Sequence, residues 1–316
     1  MEDKKKLIIL TGPTAVGKTK LSIETAKMLN AEIISADSMQ VYKYMDIGTA
    51  KITKDEMEDI THYMVDELEP DEEFNVVVFK YLALKYMDEI YKKGKIPLIV
   101  GGTGFYIQAL LYDIDFSESD ENNGEIRRKL EELADTKGAQ FLYNRLREVD
   151  PESLETIHCN NVKKIIRALE YYEITGEKIS KHNKEQRNNS SPYDFLYLVL
   201  NDDRQKIYDR IDKRVDIMIE QGLVQEVKGL LDKGFTKDLV SMQGLGYKEI
   251  VDYLEGRCSL EEAIYILKRD TRHFAKRQLT WFRREKITTW IDKSEYMNDE
   301  EILNDIRKMA VDKNII

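Results

Sequence analysis

The chain has 316 residues, 42 % of them hydrophobic and 34 % charged, with a formal net charge of −10. That apolar share supplies a real core and excludes a disordered chain, and no run approaches the roughly 18 apolar residues of a membrane span. The acidic sum argues at first sight against a nucleic-acid partner, yet the placement of positive charge decides such binding, not its total.

The charged start, Glu2 to Lys6, leads into an apolar segment at 7–10 that is too short for a signal-peptide core, so the cytosol is the expected location. Residues 7–11 read as a buried parallel strand ending in a glycine turn, and 18–29 carry the period of a helix. Residues 31–36 read as a second strand. A long amphipathic helix over 75–93 is closed by Gly94, and 96–100 form another buried strand ending in Gly101-Gly102-Thr103-Gly104. Alternating strands and helices predict an α/β fold, a doubly wound parallel sheet with its ligand at the carboxyl ends of the strands.

The character changes near Phe116. Residues 117–124 are polar and turn-rich, like a junction. Helices alone follow over 125–176, with Pro151 and Gly176 as punctuation, and then a polar stretch at 178–191 without apolar periodicity reads as a mobile loop. A strand at 194–200 returns to the main sheet. The expected division is therefore a P-loop core at 1–116 and 191–316, interrupted by a helical insertion at 117–190. Helices dominate from Asp203 onward, with a last edge strand at 287–291 and an amphipathic helix over 299–316. The two cysteines, Cys159 and Cys258, form no CxxC pair and read as reduced structural thiols; the four histidines have no ligand spacing, so no structural zinc is expected.

Chemistry enters at Gly12-Pro13-Thr14-Ala15-Val16-Gly17-Lys18-Thr19, which fits GxxxxGK[ST] at every fixed position, between a strand and a helix start. Backbone amides, the helix N-terminus and Lys18 make this a cradle for a di- or triphosphate, with Thr19 placed to hold a metal ion on it. Nucleotide hydrolases of this type commonly end a later strand with an aspartate that organises magnesium and water. Here the strand at 96–100 ends in Gly-Gly-Thr-Gly, either a binding corner or a plain tight turn. Asp37 ends the second strand beside the P-loop mouth, where it could accept a proton or serve as a helix N-cap.

GPTAVGKT, ISADSMQVYKYMDIGTAK (34–51) and PLIVGGTGFYIQAL (97–110) together resemble the tRNA dimethylallyltransferase family. The resemblance continues in VKKIIRALE (162–170), RIDKRVDIMIEQGLVQEV (210–227), QGLGYKEI (243–250) and RHFAKRQLTWFR (272–283), in order along nearly the whole chain. It is to the bacterial form, without a C-terminal zinc finger.

That family moves a dimethylallyl group from dimethylallyl diphosphate to N6 of the adenine next to the anticodon in tRNA. The resemblance implies that Asp37 takes the N6 proton, that Thr103 lies beside the reacting centre, and that Arg214 holds the diphosphate. Gly12, Thr14, Ala15, Val16, Gly17, Lys18 and Thr19 complete the diphosphate cradle, Thr19 through Mg2+. Asp37, Ser38, Met39 and Gln40 would meet the tRNA, Gln40 taking the place of the extruded adenine or holding it, because chemistry on N6 requires the base to leave its stack. The insertion would clamp the anticodon stem-loop through Lys163, Lys164 and Arg167. Arg272, Lys276 and Arg277 belong to a basic stripe on a second helix, which without the family motifs reads equally as a solvated face. Trp281 reads as core. No obligate protein partner is implied, and a monomer is expected. The competing readings are a prenyltransferase acting on free adenine nucleotides and a P-loop small-molecule kinase.

Overall fold

In the computed structural model, residues 4–114, 123–186 and 189–316 are described. Two compact units emerge, Met1–Leu110 with Tyr193–Ile316, and Leu111–Pro192. Composition puts those limits at 117 and 190; nearly all of the polar junction at 117–124 lies outside the described residues.

The first unit is built on a parallel sheet of six strands: β1 (Lys5–Thr11), β2 (Ala31–Ser35), β3 (His62–Tyr63), β4 (Ile96–Gly101), β5 (Tyr193–Asn201) and β6 (Thr289–Asp292), in the order β3-β2-β4-β1-β5-β6. β1 lies in the middle with both faces covered, which is why Leu7 to Leu10 form one unbroken apolar run rather than an alternation. Ile8 and Leu10 join a core with Leu21 and Ala26 of α1 (Lys18–Met28), Ile207 and Ile211 of α8 (Arg204–Glu220), and Ile302, Ile306 and Ala310 of α12 (Asp299–Asp312). Leu7 and Ile9 point to the opposite face, where α2 (Val76–Lys92) buries Phe79, Ala83, Met87 and Ile90 against the sheet. Asn75 starts α2 by accepting from the amides of Val77 and Val78 at 2.9 and 3.1 Å, and Gly94 follows its end at a positive φ of 69°. β6 pairs with β5 at the sheet edge over 289–292, two residues beyond the expected start. β3, only two residues long, carries no apolar run and is recognisable only through its pairing with β2.

Register sets the working edge. Thr11 stands opposite Gly101 of β4 and Val199 of β5, and Ser35 opposite Val100, so β2, β4 and β1 finish close to one level while β5 runs on to Asn201. The strand order reverses around β1, making this edge the switch point where such sheets hold ligands. α3 (Gly104–Leu111) leaves from it after β4.

The second unit contains α4 (Asn123–Lys137), α5 (Ala139–Val149), α6 (Val162–Thr175) and α7 (Ile179–Gln186) around a core of Leu130, Leu142, Leu146, Ile165, Ile166 and Leu169. Gly176 ends α6 in the left-handed region, and Pro151 opens a 3-10 turn. α7 corrects the expectation of a loop at 178–191. Its sequence has no buried residue and no apolar stripe to announce a helix. It is held instead by Asp150, whose buried carboxylate accepts from Ser180 N at 2.9 Å, Ser180 Oγ at 2.5 Å and Ser153 Oγ. Burial alone would raise the Asp150 pKa, but these hydrogen bonds outweigh it and the net shift is downward.

The remaining helices, α9 (Leu223–Asp232), α10 (Tyr247–Leu254) and α11 (Leu260–Phe282), belong to the first unit.

Candidate active site

The loop after β1 turns on two residues in the left-handed region, Ala15 at φ 61° and Gly17 at φ 94°. Gly17 is the N-cap of α1 and offers no side chain, so no side chain caps the first-turn amides and no acidic residue stands among them. Free amides and a helix N-terminus together favour an anion. Lys18 Nζ folds over this loop and donates to the carbonyls of Gly12 and Pro13 at 3.0 and 2.8 Å. Burial and the nearby Arg214 guanidinium lower its pKa to about 8, against the opposing pull of Asp37. Thr14 is half-buried, Val16 fully buried, and Thr19 exposed at the start of α1.

The ends of β2 and β4 are locked together. Ala36 N donates to Val100 O at 2.7 Å, and Thr103 N donates to Ala36 O at 3.2 Å, which brings Thr103 beside Asp37. The corner after β4 is more than a tight turn. A Cβ on Gly101 would overlap the Ala36 carbonyl, one on Gly102 the Gln278 amide, and one on Gly104 the Trp281 ring. Each glycine is there because something else approaches too closely for a side chain.

Asp37 caps a turn rather than a helix, and its carboxylate lies within electrostatic reach of the P-loop cations. Its Oδ1 accepts from Met39 N at 2.9 Å, capping the turn that follows, while its charge is felt by Lys18 and Arg214. Arg214 lies on α8, started by Asp203 accepting from Gln205 N and Lys206 N, beside the buried face formed by Ile207, Ile211, Val215 and Met218. Burial lowers the Arg214 pKa, Arg210 adds to the fall and Asp37 opposes it. Tyr106 also faces this group: burial pushes its hydroxyl up to about 12, with Tyr42 and Asp37 adding to the rise. Lys18, Asp37, Thr103 and Arg214 are thus gathered at one edge of one unit.

The segment after Asp37 is anchored by residues far along the chain. Met39 packs against Gly244, and Gln40 Nε2 donates to the carbonyls of Thr49 and Ala50 at 3.3 and 3.2 Å. Gln40 and Thr19 line a common cleft with Ser22, Ser35 and His62. The Glu226 carboxylate of α9 accepts from the amides of Asp46, Ile47 and Gly48 at 3.0, 2.7 and 3.0 Å and from the Tyr247 hydroxyl at 2.7 Å. The sequence stretches 45–51, 222–227 and 243–250 are therefore one construction, a loop held by a carboxylate. Ser38 is half-buried beside it.

The basic residues divide into two groups. On α11, Lys268 pairs with Asp216 at 2.6 Å and Arg272 with Asp212 at 2.5 Å, both aspartates on α8, and Arg269 pairs with Asp270 at 2.8 Å. The first two pairs tie α11 to α8, while Arg269 and Asp270 are neighbours on α11 itself. Lys276 and Arg277 are exposed, Arg277 over the Phe274 ring at 5.7 Å. In the second unit Lys163, Lys164 and Arg167 are all exposed on the outer face of α6. The buried face of α11 is Ala263, Leu267, Ala275, Gln278 and Phe282, with Trp281 half-buried against Phe105 at 6.1 Å. Trp281 is therefore not core as its apolar spacing predicts, but packs half-buried over Gly104 at the site's corner, because the buried face of α11 is rotated from the 267–274–281 row.

Four residues at the site lie within the stretches that carry the family resemblance, yet the sequence reading gives none of them a role. Arg210, Glu226 and Tyr106 fit no local chemical motif, and Gln278 lies inside a run dominated by its charged neighbours. Arg210 pairs with Asp202 at 2.6 Å just past β5. Only the juxtaposition of α8, α9, α11 and the β4 corner exposes them.

Known proteins are similar to this chain in sequence and fold. Residues 40–285 match the family model described as IPP transferase, and 5–72 that described as isopentenyl transferase. A tRNA dimethylallyltransferase of Lachnoclostridium phytofermentans is 63 % identical over 310 residues, covering 98 % of this chain and 99 % of that one. The solved full-length tRNA isopentenylpyrophosphate transferase of Bacillus halodurans is 43 % identical with a TM-score of 0.73, covering 98 % of both chains. A eukaryotic dimethylallyltransferase solved acting on tRNA is 33 % identical with a TM-score of 0.78, covering 91 % of this chain and 74 % of that one. A phosphate cradle, a strand-end carboxylate and a glycine corner, matched over nearly the full length by these relatives, make the chain a member of the tRNA dimethylallyltransferase family of enzymes.

Proposed function

We propose that this enzyme transfers the dimethylallyl group of dimethylallyl diphosphate to N6 of the adenine adjacent to the anticodon in tRNA, releasing diphosphate. The observation that carries the reading is the grouping of Asp37 with the cations Lys18 and Arg214 at a P-loop whose neighbouring strand ends in glycine and threonine. A cradle with a base but no aspartate at that strand end suits displacement of a diphosphate better than transfer of a phosphoryl group.

The N6 lone pair forms a bond to C1 of the allyl group, the C1–O bond breaks, and its electron pair leaves with the diphosphate. The P-loop amides, Lys18 and Arg214 stabilise the growing charge on that leaving group, where fixed cations in a partly dry site act most strongly. Asp37 accepts the N6 proton, and the turn that it caps holds its carboxylate in place. Thr103, fixed through its amide to Ala36, aligns the reacting groups. Gln40 stands where the extruded base, or the gap it leaves, would be met.

The site fits Mg2+ on the diphosphate, because such an ion takes one or two protein oxygens and completes its shell with water and phosphate oxygens. The exposed Thr19 hydroxyl, at the P-loop end, is the donor in the right place. Bound there, the ion would neutralise part of the diphosphate charge.

Lys163, Lys164 and Arg167, with Lys276 and Arg277, supply exposed cations for tRNA phosphates. No helix among the described residues is long and apolar enough to cross a membrane. The proposed acting form is a cytoplasmic monomer.

A transfer assay with labelled dimethylallyl diphosphate, magnesium and either unmodified tRNA or free AMP tests the proposal. Label in tRNA alone is the expected result. Label in AMP would keep the chemistry and change the acceptor, and label in neither would reject the reading.

A further inference from the structure

Gln278 is buried on α11, a helix otherwise read for its charges, and its amide spans the two halves of the site. Its Oε1 accepts from the Thr14 amide of the P-loop at 2.9 Å. Its Nε2 donates to the carbonyl of Gly102, in the corner that carries Thr103, at 3.1 Å. Both hydrogen bonds join segments far apart in sequence, 264 and 176 residues away. Gly102 has no room for a side chain because the Gln278 amide occupies that space. One turn further on, Trp281 lies over Gly104 of the same corner.

We propose that Gln278 is a positioning residue, a strut that sets the separation between the diphosphate cradle and the Thr103–Asp37 side of the site. Resting on the prenyl-transfer reading, it adds a determinant of that reaction which touches neither substrate. The physical requirement is specific. Displacement at carbon needs the leaving group and the incoming amine aligned to within a fraction of an ångström, and small misplacements cost rate steeply. The P-loop holds the leaving group; the corner after β4, tied to β2 by Thr103 N, holds the other side. β1 and β4 pair only as far as Thr11 and Gly101, so the ladder ends just before both working segments. Past that point Gln278 bridges them. A primary amide suits the task, because it presents one acceptor and one donor, and the two segments present one free N–H and one free C=O.

The decisive experiment compares the wild type with Gln278→Ala and Gln278→Glu, measuring kcat, KM for each substrate, tRNA affinity and Tm. Gln278→Ala should lower kcat at least tenfold per folded molecule, while tRNA affinity stays within twofold. Gln278→Glu adds a readout that a merely structural role would not move. Protonated, its carboxyl copies the amide, accepting from Thr14 and donating to Gly102; ionised, it sets a negative charge against the Gly102 carbonyl. The ratio of variant to wild-type kcat should therefore climb at least fivefold as pH is lowered from 8 to 6. A kcat within twofold of wild type in folded Gln278→Ala would overturn the strut. Failure of the wild type to label tRNA would instead unseat the assigned reaction, so the two failures remain distinct.

Discussion

At the scale of single residues, Asp37 and Lys18 set the clearest expectations. Asp37→Ala should reduce kcat by about two to four orders of magnitude, the usual share of a general base, while tRNA affinity measured by filter binding changes little. Unaltered turnover in that variant would remove Asp37 as the base. For Lys18 the sign follows from its pKa of about 8, lowered by burial and by Arg214. The ammonium is charged below that value and neutral above it, so binding of the diphosphate substrate should be strongest below pH 8. KM for dimethylallyl diphosphate should then rise as pH is taken from 7.5 to 9, with a smaller effect on KM for tRNA. A KM independent of pH across that range would mean that bound diphosphate or metal resets the lysine entirely. Both residues were legible in the sequence, Lys18 through the spacing of the P-loop and Asp37 through its place at a strand end together with the family resemblance. Gln278, Glu226 and Arg210 were not, since each acts on a segment more than a hundred residues away or through a partner visible only after folding.

At the scale of elements, helix α11 shows why a charge pattern is ambiguous. Its lysines and arginines recur at helical steps, yet Lys268 and Arg272 are occupied by the aspartates of α8, and Lys276 and Arg277 are left exposed. Lys276→Ala and Arg277→Ala should each weaken tRNA binding and reduce the salt dependence of log Kd by about one unit of slope. Arg272→Ala should chiefly lower Tm, with the slope nearly unchanged; a slope reduced as much as in Arg277→Ala would place Arg272 at the tRNA as well. The loop at 46–48 is the second element held from a distance. Removing its anchor with Glu226→Ala leaves three amides and the Tyr247 hydroxyl without their acceptor, at a cost of about 1–3 kcal/mol. Thermal denaturation would measure that cost, and faster proteolysis within 38–51 would locate it. α7 departs from the expectation because hydrophobic periodicity is silent on a helix with no buried face, and its anchor is Asp150, a buried aspartate 30 residues earlier.

At the scale of the whole molecule, charge also stabilises the end of the sheet away from the site. Glu32 of β2 is buried, with Lys93 at 2.8 Å, Lys95 at 2.9 Å and the Tyr63 hydroxyl at 2.9 Å around its carboxylate. Burial alone would raise its pKa, but these hydrogen bonds outweigh it and hold the group at about 2. A depressed folded-state pKa means that the contribution is present above the unfolded value of 4.5 and is lost as pH falls toward 2. The two lysines are partly exposed and solvent screens them, so the cluster contributes about 2 kcal/mol. Glu32→Gln should lower stability by that order at pH 7 and flatten its decline between pH 4.5 and 2, as followed by urea denaturation. An unchanged acid limb would assign the decline to other carboxylates.

The sequence by itself determined the α/β core, the phosphate cradle, Asp37 at the end of its strand and the helical character of 125–176. Those features rest on local rules: apolar runs for buried parallel strands, a glycine-rich spacing for an anion, a 3.6-residue period for amphipathic helices. Only the tertiary structure decided that the Gly101-Gly102-Thr103-Gly104 corner is shaped by Ala36, Gln278 and Trp281, that Lys268 and Arg272 of the α11 stripe are paired with α8, and that Glu226 holds the loop of 46–48. These are contacts between distant segments. A glycine records only that a side chain is excluded, and a charged residue only that it can find a partner; which neighbour does the excluding, and which partner is found, is settled when the helices dock on the sheet.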